Sequence, residues 1–301
     1  MQSAWTRRNL LRLAVIAFPM ATIGFGGSAK GLELKGTKEK IPLSDDQGSQ
    51  VQSNEEAVTD LFPTQPPELV REMVTVAHYD LKRVRELVEA RPALSRAAWD
   101  WGFGDWENAL GGASHMGNRP IAEYLISKGA RPTLFSAAML GQLDVVKAFV
   151  AAQPGVQAIR GPHSISLLAH ARVGGEAARP VFEFLQSMPN SDTEAPIALP
   201  EDQKASLLGT YFFGVGMSQR ITVDADLKMY AGSRMYTHAP QLNWTREGTM
   251  PRPLFHLGDH TFYPAGAASA RIRFNEENGS MAMTISDPDV VLVARRKRHA
   301  A

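Results

Sequence analysis

Few residues in this chain are of a type and spacing that could do chemistry. His256 and His260 stand close enough in sequence to share an ion, with Asp259 or Glu247 available as a third ligand. They flank Gly258-Asp259, which reads as a hairpin turn and not as one face of a helix, so the pair is a weak metal candidate and no resident metal or cofactor is expected. A serine nucleophile would need a lysine partner in Ser-x-x-Lys or the elbow Gly-x-Ser-x-Gly, and neither occurs. The absence of cysteine excludes disulfides, thiolate metal sites and a Cys nucleophile. GFGGSA at 24–29 has the spacing of a dinucleotide loop without the strand and βαβ unit that give such a loop its phosphate geometry. GLELKGTK at 31–38 has no Gly-Lys-Ser/Thr to reach phosphate and magnesium. Catalysis is therefore not expected.

Binding has better candidates. The segment WDWGFGDWE at 99–107 concentrates Trp99, Trp101, Phe103 and Trp106, and aromatic residues of this kind anchor interfaces because they bury much area at low entropic cost. Two readings stay open: a loop that presents Trp101 and Trp106 to a partner, or one that folds back to cap an apolar end. His163 in RGPHS and His170 in AHA lie near Arg160 and Arg172, where they could form a polar pocket or hydrogen-bond between successive loops. With His115, these residues form the candidate partner-binding set.

The elements that must position them follow from periodicity. An apolar residue, a small residue three later and a turn residue four beyond that recur as Met73/Val76/Asp80, Leu110/Ala113/Gly117, Leu134/Ala137/Gly141 and Leu168/Ala171/Gly175. A second amphipathic stretch follows each turn, with Val84/Leu87/Val88, Ile121/Tyr124/Leu125, Val145/Ala148/Phe149 and Val181/Phe184/Leu185 expected on its buried stripe. Glycine supplies a left-handed turn without steric cost, and Asp80 is expected to take that conformation in the first set. Helix pairs this short cannot bury an apolar face alone; stacked, they share a core.

These units resemble ankyrin repeats, clearly in AAMLGQLDVVKAFV and in traces in PTLFSA at 132–137 and SLLAHA at 166–171. The turn residues 80, 117, 141 and 175 are unevenly spaced, so the array is irregular. The resemblance implies a helical-hairpin stack over about 66–188 that binds another protein through its loops.

From residue 201 the period changes to two. RITV, RIRF, SMAMTI and DVVLVARR alternate or run apolar between turn signals such as Asn278-Gly279. Ile272, Phe274, Met281, Met283 and Ile285 fall on one face of a hairpin, with Arg271, Arg273, Ala282 and Thr284 on the other. A small antiparallel β-barrel or sandwich over 201–298 is expected. Its fragments are similar to the accessory β-domain that follows β-lactamase-like serine hydrolases, a likeness that implies no catalytic residues.

At the other end, TRRNLLRLAVIAFPMATIGFGGSA places Arg7 and Arg8 before a short apolar run. It resembles a bacterial twin-arginine export signal over 1–29, with a cut after Ala29 plausible, and implies a periplasmic or cell-envelope location. Residues 30–65 have the composition of a disordered tether, and 189–200 that of a linker between domains. With 32 Lys+Arg against 31 Asp+Glu the net charge is +1, so no global field recruits nucleic acid, and membrane contact is expected only through an uncleaved signal.

The sequence thus predicts an α+β multidomain protein: an N-terminal irregular ankyrin-type helical hairpin array and a C-terminal small antiparallel β-barrel or sandwich. Its expected role is an exported, non-catalytic protein-protein interaction scaffold. The alternative is a small-ligand or carbohydrate-binding protein, or a degenerate enzyme, with a pocket in the β-domain or the interdomain cleft. Support for the folding or export of another enzyme is a third possibility.

Overall fold

Eight short helices in the N-terminal part of the chain form four antiparallel pairs, the last three opened by side chains that satisfy free N–H groups of a helix start. The computed structural model describes residues 63–192, 196–214, 220–228, 235, 236, 238, 240–288 and 290–296. The export signal expected at 1–29, the tether as far as residue 62 and the basic residues 297–299 lie outside the described residues. The pairs are α1 (Pro67–Val76) with α2 (Leu81–Ala90), α3 (Ala109–His115) with α4 (Arg119–Ser127), α5 (Leu134–Met139) with α6 (Leu143–Ala152), and α7 (Leu167–Val173) with α8 (Arg179–Gln186). Asn108, Thr133 and Ser166 cap the first helices of the last three pairs through their side-chain oxygens.

Two details correct the expectations. Asp80 is not left-handed: at φ −120° it is the N-cap of α2, accepting from the Arg83 N–H at 2.9 Å, and its structural counterpart is Asn118, not Gly117. An aspartate gains more from capping a helix than from entering a strained turn, so the first pair turns differently. In α6, Val145 and Phe149 are solvent-exposed and Val146 is fully buried, with Leu143 and Val150 packed beside it. Both sets have helical spacing, and only the neighbouring helices decide which one faces in.

The other turns are glycine-dependent as expected, with Gly117, Gly141 and Gly175 at φ +69°, +77° and +67°. Gly141 has a second constraint, because a Cβ there would collide with the Ala177 carbonyl of the next unit. The apolar faces merge into two cores, one centred on Met73, Leu110, Ile121 and Leu125 and the other on Leu134, Val146, Leu167 and Leu185.

The aromatic segment between the first two pairs is a short antiparallel hairpin, β1 (Ala98–Asp100) and β2 (Trp106–Asn108), with Trp99 opposite Glu107. Pairing fixes which side chains of WDWGFGDWE turn inward, and Asp105 and Glu107 do so.

The C-terminal part is a closed barrel of eight strands, each antiparallel to both neighbours: β3 (Gly209–Phe212), β4 (Arg220–Asp224), β5 (Leu242–Arg246), β6 (Arg252–Gly258), β7 (Thr261–Pro264), β8 (Arg271–Glu277), β9 (Ser280–Asp287) and β10 (Val290–Arg296), closing β10 against β3. Closure removes the sheet edges an open sandwich would leave. The turn Asn278-Gly279, both residues left-handed at φ +53° and +69°, sets the β8–β9 register that puts Ile272, Phe274, Met283 and Ile285 inside. A helix, α9 (Glu201–Leu207), leads into the barrel and buries Leu207 in its core.

The stretch expected as a linker is tied at both ends. Asp192 accepts from Ser166 Oγ and Arg172, while Leu199 is buried in the barrel core and the Ile197 N–H donates to the His256 carbonyl. The helical pairs and the barrel belong to one compact unit. Among the described residues no helix is long and apolar enough to cross a membrane.

Candidate functional site

Where the helical stack meets the barrel, four side chains distant in sequence converge: His78, Glu107, His115 and His163, whose ligand atoms all lie within 4.8 Å of one another. Each is placed by a local device. His78 lies just past α1, and its Nδ1–H donates to the Val74 and Thr75 carbonyls of the last helical turn at 2.9 and 3.1 Å. Its ring rests on Gly112 of α3, where a Cβ would stand only 2.8 Å from Cε1. His115 ends α3, its ring edge-on to His78 at 4.8 Å and to His163 at 5.5 Å. Glu107, on β2, has a side chain with no solvent exposure.

His163 is held by strain. It has φ 59° and ψ 20°, and Ser164 follows at φ 61°, two successive non-glycine residues in the left-handed region. Such conformations cost about 1–3 kcal/mol each and persist only where surroundings enforce them. Here Asp105 does so, its two oxygens accepting from the His163 backbone N–H at 2.9 Å and from Nδ1–H at 2.8 Å.

With their Nδ1 protons committed to a carboxylate and to carbonyls, His163 and His78 turn Nε2 toward Glu107 Oε2, at 3.3 and 3.5 Å. The same oxygen accepts from Trp101 Nε1–H at 2.8 Å. His115 Nδ1 lies 3.1 Å from Glu107 Oε1, yet the two atoms are not aligned for a hydrogen bond, and both are buried without one. Behind them, His170 is fully buried; its Nδ1–H donates to the Ser166 carbonyl at 2.9 Å and its Nε2 has no partner.

These contacts divide the cluster electrostatically. Burial alone raises the Glu107 carboxyl, but the His115 and His163 imidazoles outweigh it and hold the carboxyl well below its usual range. Burial lowers His163, and the bonds to Asp105 and Glu107 more than reverse this, raising it to about 9. Burial prevails at His115 and His170, lowered to about 4 and about 3. Glu107 is an anion beside one ring that readily gains positive charge and others that resist it.

The barrel completes the site. Arg252 of β6 donates through Nη1 to Asp105 Oδ2 at 3.2 Å and to the Ala265 carbonyl at 2.5 Å, and through Nη2 to the Trp101 carbonyl at 2.8 Å. Tyr236 Oη donates to the His163 carbonyl at 3.0 Å, and the Gly266 N–H donates to Ser164 Oγ at 2.8 Å. The orientation of His163 thus depends on both parts of the chain.

Above the cluster opens a cleft of about 760 Å³, lined by the three histidines, by Trp99, Trp101 and Phe103 of the hairpin segment, and by Ile221, Trp244 and Ile285 at the barrel mouth. Phe103 packs on Trp244 with ring centres 5.8 Å apart. The volume is that of a small-molecule site, its lining shared between aromatic and aliphatic side chains and polar ones that include the histidines, Arg246 and Arg252.

The sequence candidates are distributed unevenly around this site. Trp99, Trp101, Phe103, His115 and His163 line the cleft, and His170 is buried behind it. Trp106 points away and is 64 % exposed. The weak metal candidates are elsewhere: His256 is buried, bonds the Ile197 carbonyl through Nδ1 and stacks near Phe262, while His260 sits with Asp259 in the left-handed β6–β7 turn. Among the described residues, only His78, Glu107, His115 and His163 form a group of three or more residues that could hold an ion. Sequence reasoning missed His78, Asp105, Glu107 and Arg252. The available signal was that His78 and His115 both fall at the ends of first helices, and that WDWGFGDWE carries three acids among its aromatics. No family model, curated protein or solved structure matches the chain, so the chemistry rests on these residues alone.

Proposed function

We propose that the protein binds a largely apolar, ring-containing small molecule in the cleft, with a polar group of that molecule directed at the histidine floor. The observation that carries this is the cleft itself: about 760 Å³, walled by Trp101, Phe103 and Trp244 and floored by His78, His115 and His163. In this proposal the helical pairs, read as an irregular ankyrin-type stack, are a frame that holds one wall, and the barrel holds the other. Delivery to the periplasm by the twin-arginine-like segment belongs to the same proposal.

Fluorescence titration with N-phenyl-1-naphthylamine tests it. One saturable site per chain is expected, with energy transfer from tryptophan that survives Trp106→Ala. Phe103→Ala is expected to weaken binding about tenfold, the scale of one lost aromatic wall. Non-saturable binding, or no change in Phe103→Ala, would remove the cleft from the function.

A second reading, docking of another protein, is favoured by Trp106 and Tyr79, 64 and 66 % exposed. It predicts that Trp106→Ala abolishes partner capture without affecting the naphthylamine.

A further inference from the structure

We propose that His78, His115, His163 and Glu107 bind one divalent first-row transition cation at the floor of the cleft. This goes beyond the cleft's role as a binding site and holds whatever molecule enters it.

The case begins with what the ring nitrogens can do. His78 and His163 spend Nδ1–H on the Val74 and Thr75 carbonyls and on Asp105, so both present Nε2 to one oxygen of a buried carboxylate. His163 Nε2 can share a proton with Glu107 Oε2 at 3.3 Å, but the His78 Nε2 lone pair, 3.5 Å from the same oxygen, is then repelled unless something positive lies between them. A proton can serve one nitrogen only, whereas a cation serves all of them together.

Two buried atoms carry the point further. His115 Nδ1 and Glu107 Oε1 are 3.1 Å apart and misaligned for bonding to each other, each lacking any hydrogen-bond partner. Buried polar atoms are rarely left in this state, and a pair aimed past each other marks a common third point. With metal–ligand bonds of about 2.0–2.1 Å, tetrahedral ligands stand about 3.3–3.4 Å apart. Here the Nε2 atoms of His163 and His78 stand 3.3 and 3.5 Å from Glu107 Oε2, His115 Nδ1 stands 3.1 Å from Oε1, and all the ligand atoms lie within 4.8 Å of one another.

The surrounding contacts are those that metal-binding histidines need. A ligating imidazole generally donates its other N–H to a carboxylate or backbone carbonyl, which fixes the tautomer and ring orientation. His163 has Asp105 and His78 has the end of α1, while Trp101 Nε1–H steadies Glu107. Three imidazoles and one carboxylate suit zinc, iron(II) or manganese(II), not a hard ion such as calcium. The three histidines also line the cleft, so a fifth coordination position would face its occupant and give the floor Lewis acidity.

The test uses the full chain, stripped with EDTA and titrated separately with Zn²⁺, Mn²⁺ and, anaerobically, Fe²⁺. One ion per chain is expected for at least one of them, and Co²⁺ loading should give the intense visible bands of a four- or five-coordinate site. Glu107→Gln and His163→Ala should each weaken binding by about 100-fold or more, beyond the 10–100-fold typical of outer partners. Gly112→Ala displaces the His78 ring while leaving a helix-favouring residue in α3, so it should weaken binding with the fold intact. His260→Ala should bind as the parent does. Failure of every cation to reach one per folded chain overturns the proposal, and so does an ion lost in His260→Ala but retained in Glu107→Gln.

Discussion

Asp105 grips His163 at two points, its Oδ1 accepting from the backbone N–H at 2.9 Å and its Oδ2 from Nδ1–H at 2.8 Å, although the two residues lie 58 positions apart. The same carboxylate takes Arg252 Nη1 from the barrel at 3.2 Å. One buried acid therefore ties the hairpin β1–β2, the strained turn before α7 and strand β6 into a single arrangement.

Asp105→Asn should separate the two consequences of that tie. Arg252 keeps its bonds to the Ala265 and Trp101 carbonyls but loses its counter-charge, so urea unfolding should show a loss of about 3–5 kcal/mol. Cation affinity should fall about 10–100-fold as His163 loses its orienting partner. Adding Arg252→Met should recover much of the stability and none of the affinity, because it removes the unpaired charge without restoring the imidazole's partner.

The tryptophans of the hairpin segment should behave differently from one another. Trp101→Phe keeps an aromatic wall but deletes the donor to Glu107 Oε2, so cation affinity should drop about tenfold, measured by calorimetry. Trp106 is 64 % exposed, and Trp106→Ala should change stability by less than about 0.5 kcal/mol. Equal losses in the two variants would show that the hairpin acts only as a cap.

His170 predicts an acid limb of stability. Burial lowers its folded pKa from 6.5 to about 3, so the neutral ring's contribution is fully present above pH 6.5 and is lost as pH falls through about 3. His170→Leu removes this titration, and the Ser166 carbonyl still accepts from the backbone N–H of residue 170. Urea midpoints between pH 7.5 and pH 4 should fall more steeply for the parent than for the variant; parallel slopes would rule out His170 as the source.

Gly141→Ala tests the frame alone. It forces alanine to φ +77° and its Cβ into the Ala177 carbonyl, which should destabilise the chain by about 2–4 kcal/mol. Thermal unfolding at saturating cation should show the same loss, because the glycine lies outside the cluster.

What the sequence by itself determined is local. Periodicity of about 3.6 and turn glycines at 117, 141 and 175 marked the helix pairs, and alternation around Asn278-Gly279 marked the barrel hairpin, because the forces that shape a turn or an amphipathic face act within a few residues. Even there, a choice between two helical stripes was invisible: Val145/Phe149 and Val146/Val150 are equally periodic, and only packing against neighbouring helices buried the second. Barrel closure was likewise decided in three dimensions, when β10 met β3.

The site belonged wholly to the tertiary structure. His115 and His163 stood out as polar residues near loops, but nothing in the chain links positions 78, 107, 115 and 163, which come from a helix end, a strand, another helix end and a strained turn. Stacking the pairs brings those ends to one edge, and the barrel presses Arg252 against Asp105 to hold the last histidine in place. A catalytic motif written in a single segment can be recognised by its spacing. A site assembled from segments dozens of residues apart has no spacing to recognise, and only the packed fold brings its charges and lone pairs together.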